Sequence, residues 1–245
     1  MQISDINNDF IESSLSSMDA EEILKWSFEN FGTRAAIGSS FQLTGSVIID
    51  ITSKTGLDFR VFTVDTLRLH DETYKVMEEV ESKYGIKVER FAPDKEKLDS
   101  MVSRFGEYLF FDSKAKQEYC CEVRKVEPND RALDTVDVWI SGLRNDQSKS
   151  RKNISKVEMV VIKGRDVLKI NPLVNWSVDE IKKYIADNNV PYNKLFDEGY
   201  DSIGCTICST PLNEGEAPRS GRWRWFNGSD DNKECGIHIP KKGGK

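Results

Sequence analysis

The sequence predicts an α/β fold, with a mainly parallel, twisted sheet flanked by helices and an irregular C-terminal tail. Strand and helix patterns alternate over residues 20–186 of the 245-residue chain, and such alternation requires crossover connections between parallel strands. The hydrophobic fraction of 38% is ordinary for a chain that packs a core. From residue 190 onward, Gly, Pro and Cys interrupt the regular patterns, which is typical of irregular structure.

The first half of the chain carries the clearest alternation. A capping box of Asp19 and Glu22 begins the first helix, and Gly32 ends it. The elements that follow are a strand over 35–39, a helix over 47–53, a strand over 59–65, a helix over 70–84 ended by Gly85, and a strand over 86–91. These elements form successive strand–helix–strand units.

The second half continues the pattern with longer interruptions. We predict a helical or irregular segment over 94–117, followed by a helix that carries Cys120 and Cys121 and runs to Val126 before Pro128. A strand over 136–142 and a charged loop over 144–156 come next, then an edge hairpin of strands 157–162 and 167–170. The last predicted helix begins at the capping box of Ser177 and Glu180 and runs through Ala186. We expect three parts, namely a loose polar arm over 1–18, one α/β domain over 19–228 and a mobile tail over 229–245.

Charge and hydropathy exclude two classes of partner. The 35 basic and 41 acidic residues leave a formal net charge of −6, so the surface as a whole repels polyanions and nucleic-acid binding is not expected. No apolar run approaches the roughly 18 residues that a membrane span needs. The N-terminus lacks the basic and apolar regions of a secretory signal. We therefore expect a cytoplasmic protein with no membrane partner.

Four of the five cysteines predict a metal centre. Cys205 and Cys208 form a Cys-x-x-Cys turn, and Cys120 with Cys121 can complete a tetrathiolate site for zinc or an iron–sulfur cluster. Side chains of adjacent cysteines diverge by about 100° on a helix, which favours a bulky cluster over one small ion. Buried, unliganded thiols are the alternative.

The fifth cysteine, Cys235, is a candidate nucleophile. His238, Lys233, Lys241 and Lys242 lie close to it in sequence, and neighbouring cations stabilise a thiolate. An incidental exposed thiol is the alternative interpretation.

Two further features predict an anion site. The turn over 39–46 joins a parallel strand to a helix N-terminus, where free N–H groups bind phosphates, although it lacks the Lys-Ser/Thr ending of a Walker loop and a plain turn is the alternative. Arginine forks match phosphate and sulfate oxygens, although for any single basic residue solvated surface charge is the better explanation. The candidate basic residues are Lys125, Arg144, Arg151, Arg219 and Arg222.

Together these segments resemble the assimilatory sulfonucleotide reductases, specifically the cluster-containing adenylyl-sulfate reductases. The matching segments are CCEVRKV from Cys120, GLRNDQS from Gly142, PYNKL from Pro191, GYDSIGCTIC from Gly199, RSGRW from Arg219 and ECGIH from Glu234. The resemblance extends over about residues 20–240, in order. The chain departs from the family pattern at Leu43-Thr44-Gly45, Leu67, Asn145 and Ser209.

The resemblance implies a fold like that of the adenine nucleotide alpha-hydrolases and a role for each motif. Cys120, Cys121, Cys205 and Cys208 would hold a 4Fe-4S cluster, and Cys235 would be the catalytic nucleophile. The nucleotide would contact Ser39, Ser40, Phe41, Gln42, Asp65, Thr66 and Leu67. The remaining substrate-binding residues would be Gly142, the five basic residues named above around the phosphosulfate, and His238 near the reacting end.

The implied reaction is the reduction of adenylyl sulfate to sulfite and AMP in sulfate assimilation, through an S-sulfocysteine. Because four cysteines are assigned to the cluster, no resolving thiol remains, and thioredoxin or a similar dithiol protein would supply the electrons. The alternatives are a reductase for the 3′-phosphorylated nucleotide or for both nucleotides, a zinc-stabilised nucleic-acid-binding module, and a nucleotide-activating pyrophosphatase of similar fold. The oligomeric state is open, a homo-oligomer included.

Overall fold

A six-stranded sheet forms the centre of the computed structural model, which describes residues 1–148, 151–226 and Ile237. The strands are β1 (Ala35–Gly38), β2 (Arg60–Val64), β3 (Val88–Phe91), β4 (Val138–Ser141), β5 (Val157–Ile162) and β6 (Arg165–Ile170). Their spatial order is β3-β2-β1-β4-β6-β5. All neighbouring pairs are parallel except β5 and β6, which form an antiparallel hairpin at one edge. The predicted fold class and edge hairpin are confirmed.

The order of the strands places a crevice at the middle of the sheet. From β1 the chain moves outward to β2 and β3, then returns to the other side of β1 for β4, so that Ile37 pairs with Val61 on one side and Ile140 on the other. In doubly wound sheets, the crevice beyond the carboxyl ends of strands at such a reversal is where ligands bind.

The described helices flank the sheet. They are α1 (Ala20–Phe31), α2 (Leu43–Ser53), α3 (Asp71–Tyr84), α4 (Lys95–Phe105), α5 (Lys114–Cys121), α6 (Glu127–Leu133) and α7 (Val178–Asn188), with short 3-10 turns between them. The Asp19 and Ser177 capping boxes are present as predicted. Helix α2 begins at Leu43, four residues before the predicted start. Within the described residues, every helix is too short or too polar to cross a bilayer.

The prediction that the cysteine helix ends before Pro128 is wrong. A π-helical turn over Glu122–Val126 connects α5 to α6 without a break, and Pro128 lies in the first turn of α6. Pro128 lies just after the π-helical turn, whose i→i+5 bonds interrupt the α-helical ladder, so its missing N–H removes no bond from a continuous α-helical ladder.

The prediction of a loose arm over residues 1–18 is also wrong. This segment forms short helical turns, and Ile6, Ile11 and Leu15 are buried in the main hydrophobic core. Both Asn residues and two of the five Ser residues that suggested a loose arm lie between these three buried residues in the sequence.

Three apolar clusters hold the elements together. The main one contains Ile37 and Ile140 of the sheet, with α1, α2 and the N-terminal segment packed against them. The second lies around Phe62 and Trp139. The third packs Cys120 and Val123 against the 3-10 turn at Leu109–Phe111. This third cluster fixes the cysteine helix to that turn, and Arg124 Nη1 donates to the Thr66 carbonyl just after β2.

Candidate functional site

A cavity of about 410 Å³ opens at the carboxyl ends of β1, β2 and β4. The predicted substrate residues that line it are Ser39, Ser40, Gln42, Thr66, Lys125, Gly142, Arg144, Arg151, Arg219 and Arg222. These residues come from six separate parts of the chain, and the sheet reversal brings them to one crevice.

The turn after β1 forms the floor of the cavity. Ser39 Oγ accepts a hydrogen bond of 3.0 Å from the Phe41 N–H, and the Phe41 ring is fully buried although its backbone has a φ of +52°. A Cβ atom at Gly45 would collide with Ser39 Oγ, so glycine allows α2 to begin close to the turn. The N-terminal residues Leu43, Thr44 and Gly45 of α2 line the cavity. Their position is suited to binding an anion.

Three of the predicted nucleotide residues do not line the cavity. Phe41 is in the core, Asp65 is buried, and Leu67 is 53% exposed. Asp65 Oδ1 accepts hydrogen bonds of 2.8 Å from both the Leu67 N–H and the Tyr74 hydroxyl. Asp65 therefore fixes the loop after β2, and a nucleotide contact from these three residues stays a prediction.

Arg144 is engaged by the protein itself. Its Nε donates to Asp146 Oδ1 and to the Trp176 carbonyl, each at 3.0 Å, and its Nη1 donates to Thr44. Burial lowers the pKa of its guanidinium, opposed by the nearby Asp146 charge. Arg144 thus ties the loop after β4 to the N-terminus of α2.

Arg222 has one buried N–H donor group that makes no hydrogen bond to the described residues. Its Nε donates to the Cys208 carbonyl at 3.0 Å and its Nη1 to Ser202 Oγ at 3.3 Å, whereas Nη2 is buried with no hydrogen-bond partner among the described residues. A Cβ atom at Gly204 would lie 2.8 Å from Arg222 Cζ. The absence of a side chain at Gly204 therefore leaves the space in which this guanidinium lies.

A second, small cavity of about 20 Å³ is lined by all four predicted ligands, Cys120, Cys121, Cys205 and Cys208. None of the four forms a disulfide with another described cysteine. Gln117 Nε2 donates to Cys121 Sγ at 3.2 Å, and Cys205 Sγ lies 3.3 Å from Thr66 Oγ1. Arg68, Arg124 and Lys125 also line this cavity. The fold therefore brings both cysteine pairs together among cationic side chains.

The surroundings separate the pKa values of the thiols. A hydrogen bond with Cys208 holds the pKa of Cys205 well below its usual value despite burial, with Lys125 and Arg222 acting in the same direction. The same bond, together with burial, raises the pKa of Cys208. Burial also raises the pKa of Cys120, opposed by Arg124 and Arg68. A negative charge is thus favoured on Cys205, and thiolates are the form that binds metals.

The two cavities share a wall. Lys125 lines both of them. The Ile203 N–H donates to Gln42 Oε1 at 3.1 Å, which joins the segment leading to Cys205 to the turn after β1. The cation-lined cavity and the cysteine-lined cavity are therefore adjacent and connected by a hydrogen bond.

Cys235 and His238 lie outside the described residues. Ile237, which follows Cys235 by two positions, lines the large cavity and packs against the cluster around Phe62 and Trp139. The residues that sequence reasoning missed are Thr44, Asp201, Ser202 and Gly204 on the large cavity and Arg68, Gln117 and Arg124 on the small one. Arg124, next to Lys125, and the segment 201–204, next to Cys205, could have been found by their place in the motifs.

Comparison with known proteins gives one consistent family. The phosphoadenosine phosphosulfate reductase domain matches residues 34–211. The adenosine 5′-phosphosulfate reductase of Allochromatium vinosum is 42% identical over 192 residues, covering 78% of this chain and 73% of the relative. The protein of the same name from Neisseria meningitidis serogroup A is 38% identical over 205 residues, covering 83% and 82%.

Solved structures agree with this. A phosphoadenylyl-sulfate reductase from Candida auris aligns with a TM-score of 0.70 and 29% identity, covering 84% of this chain and 98% of that one. An FMN adenylyltransferase from Candida glabrata aligns with a TM-score of 0.54 and 12% identity, covering 81% and 67%, and shares the fold alone. The family resemblance in the sequence is confirmed, and the chain belongs to the phosphoadenosine phosphosulfate reductase domain family.

Proposed function

We propose that this protein is an adenylyl-sulfate reductase, which converts adenylyl sulfate to AMP and sulfite in sulfate assimilation with electrons from a dithiol protein such as thioredoxin. One observation carries the proposal. A cavity lined by cations at the sheet reversal shares Lys125 with a cavity lined by four cysteines. Similarity to relatives named adenosine 5′-phosphosulfate reductase supports this substrate over its 3′-phosphorylated form.

The cavity supplies what a phosphosulfate needs. The N-terminus of α2 offers free N–H groups and a favourable dipole. Arg222 contributes a buried donor that makes no hydrogen bond within the described part of the chain, and arginine forks bind phosphate and sulfate oxygens in pairs. These groups would stabilise the negative charge that develops on the AMP phosphate as it leaves.

We further propose that Cys120, Cys121, Cys205 and Cys208 hold a 4Fe-4S cluster. Cationic side chains around them favour thiolates, and Gln117 offers an N–H donor to sulfur. Two thiols from one helix and two from a Cys-x-x-Cys turn line one cavity, and a set of four cysteines is the kind that holds iron–sulfur clusters. When bound, the cluster would supply an electrostatic or redox centre beside the substrate.

The first chemical step is assigned to Cys235. Its thiolate attacks the sulfur of the sulfate group, a sulfur–sulfur bond forms, and the bond between that sulfur and the bridging phosphate oxygen breaks. AMP leaves with the electron pair, and the enzyme carries an S-sulfocysteine. His238 is proposed to lie near the reacting end of the substrate.

The second step releases sulfite. A thiolate of the partner dithiol attacks Cys235 Sγ, sulfite departs with the bonding electrons, and the second partner thiol resolves the mixed disulfide. The partner is oxidised to a disulfide, and these two electrons reduce sulfate to sulfite. Because the partner must be kept reduced, a cytoplasmic location is part of the proposal.

The test is a mass measurement on the intact chain after exposure to adenylyl sulfate without reductant. We expect the wild type to gain the mass of one SO3 group at Cys235 and to release AMP, whereas Cys235→Ser gains nothing and keeps its iron and sulfide content. A gain of the same mass by the Cys235→Ser variant would refute the assignment of Cys235 as the nucleophile. Purified protein that contains zinc and no iron under anaerobic handling would refute the cluster.

A further inference from the structure

Three acidic side chains, Asp146, Asp201 and Glu216, line the otherwise cationic cavity. Asp146 uses both oxygens, accepting from Arg144 Nε at 3.0 Å and from the Val178 N–H at 2.8 Å. Both oxygens of Glu216 accept from Arg224 at 2.6 Å. These two carboxylates therefore stabilise the protein itself.

Asp201 differs from the other two. Its Oδ2 accepts the Arg219 N–H, whereas Oδ1 is buried and makes no hydrogen bond within residues 1–148 and 151–226. Leaving a buried carboxylate oxygen unpaired is unfavourable, so a donor from water or a ligand is expected there. An ionised carboxylate can only accept hydrogen bonds, so the ligand group must be a hydroxyl or an amine.

The neighbours of Asp201 indicate which part of a nucleotide it meets. Its chain neighbour Ser202 is buried, and the Ser202 hydroxyl accepts from Arg219 Nη1 at 3.1 Å and from Arg222 Nη1 at 3.3 Å. The carboxylate thus stands beside the arginines proposed to hold the phosphosulfate. The sugar is the part of a nucleotide bonded directly to the 5′-phosphate, so the nearest donors are the ribose hydroxyls.

We propose that Asp201 is a specificity-determining residue that accepts a hydrogen bond from a ribose hydroxyl and repels a phosphate at the 3′ position. Acidic residues recognise ribose hydroxyls in this way in dinucleotide-binding folds, where phosphorylated sugars need a cation instead. Like charges brought together at a binding site disfavour the wrong ligand. This inference rests on the proposed function and deepens it, since it selects adenylyl sulfate over the 3′-phosphorylated nucleotide.

The test is calorimetric binding of AMP and of adenosine 3′,5′-bisphosphate to the full chain, with no turnover required. Asp201→Asn keeps an oxygen for the Arg219 N–H while removing the charge and adding a donor. Glu198→Gln is the matched control, because Glu198 is exposed and outside the cavity lining. We expect the wild type and Glu198→Gln to prefer AMP by about tenfold or more, and Asp201→Asn to lose most of that preference through tighter bisphosphate binding.

A second arm uses 3′-deoxy-AMP and 2′-deoxy-AMP. Removing the contacted hydroxyl should weaken binding to the wild type and leave binding to Asp201→Asn unchanged. The inference would be overturned if the wild type and Asp201→Asn preferred AMP over the bisphosphate by the same factor. It would also be overturned if the wild type bound AMP and the bisphosphate equally. In either case, binding of AMP would still support the proposed function. A wild type that binds neither nucleotide would overturn both.

Discussion

At the residue scale, unusual backbone conformations shape the site. Phe41, Leu67 and Arg219 have φ values of +52°, +56° and +64°. Each such residue costs on the order of 1–3 kcal/mol and persists only where its surroundings hold it. Phe41 is held by core packing and Arg219 by the acceptor on Asp201. No local sequence signal marks these positions, because glycine is the residue expected there, and so the shape of the turns could not be predicted.

Gly204→Ala should weaken AMP binding by about tenfold, since hydrogen bonds to charged groups contribute about 1.5–3 kcal/mol. The new Cβ would lie 2.8 Å from Arg222 Cζ and would displace the guanidinium from the cavity. Calorimetric titration with AMP measures the loss. Thr206→Ala, two residues away and exposed, should bind AMP like the wild type. Unchanged affinity in Gly204→Ala would show that Arg222 does not contact the nucleotide.

At the element scale, a buried carboxylate joins three helices. Asp50 of α2 accepts hydrogen bonds from Tyr84 of α3 at 2.8 Å and from Tyr184 of α7 at 2.9 Å, and pairs with Lys54 at 2.7 Å. Burial opposes its ionisation, but these partners outweigh burial and hold the pKa of Asp50 below its usual value. The network supports the helices on the face of the sheet that carries the main core.

Asp50→Asn should lower the free energy of unfolding by about 1–3 kcal/mol near neutral pH, because two partly buried tyrosine hydroxyls lose their charged acceptor. Lys54 adds little to this cost, since its side chain is 48% exposed and remains solvated. Because the folded pKa is lowered, Asp50 stabilises the fold above its unfolded pKa of about 3.9, and this contribution is lost as the pH falls through the folded pKa. The difference between wild type and variant should therefore shrink in acid. Urea unfolding over a pH series measures it.

The matched control for Asp50 is Glu29→Gln, which removes the same charge from an exposed pair with Lys25. Its cost should be at most about 1 kcal/mol, because solvent screens surface ion pairs. If Asp50→Asn lowers the free energy of unfolding no more than Glu29→Gln does, or by an amount that does not change with pH, the ionised Asp50 does not stabilise the contacts among the three helices.

Leu15→Ala should also destabilise the protein, by about 2–5 kcal/mol. Leu15 is fully buried in the main core although it belongs to the polar N-terminal segment. The exposed Ser13 provides the control, and Ser13→Ala should unfold at the wild-type denaturant concentration. If both variants unfold alike, the N-terminal segment does not contribute to the core.

Local signals decide which elements can be predicted. The capping boxes at Asp19 and Ser177 and the left-handed Gly85 mark helix ends through contacts within three or four residues, and all were predicted. The continuation of the helix through Pro128 was not predicted, because no local sequence signal marks the π-helical turn before it. Val123 in that turn packs against Leu109 and Phe110, which belong to a separate turn of the chain.

At the scale of the whole molecule, a net charge of −6 coexists with a cation-lined cavity. Salt screens attraction between charges in accessible sites, so the affinity for AMP should fall as the ionic strength rises. The neutral nucleoside adenosine is the matched ligand, and its affinity should stay constant. Titrations at low and high salt measure both, and equal slopes for the two ligands would show that the cations are not involved.

The convergence of the site is only partly visible in the sequence. The four paired cysteines were predicted to lie together because their spacing is itself a signal, and the structure lines one cavity with them. The partners of Arg144, by contrast, are Thr44 and Trp176, which are 100 and 32 residues away. Contacts between residues far apart in the sequence decide which cationic side chains stabilise the protein and which face the cavity.

The hydrogen bond from Ile203 to Gln42 has a practical meaning for attempts to redesign this protein. Because the backbone leading to Cys205 is hydrogen-bonded to the turn after β1, substitutions at Gln42 would also move the loop that carries Cys205. Attempts to enlarge the cavity should therefore begin at another lining residue, such as Val178, and keep the hydrogen bond between Ile203 and Gln42.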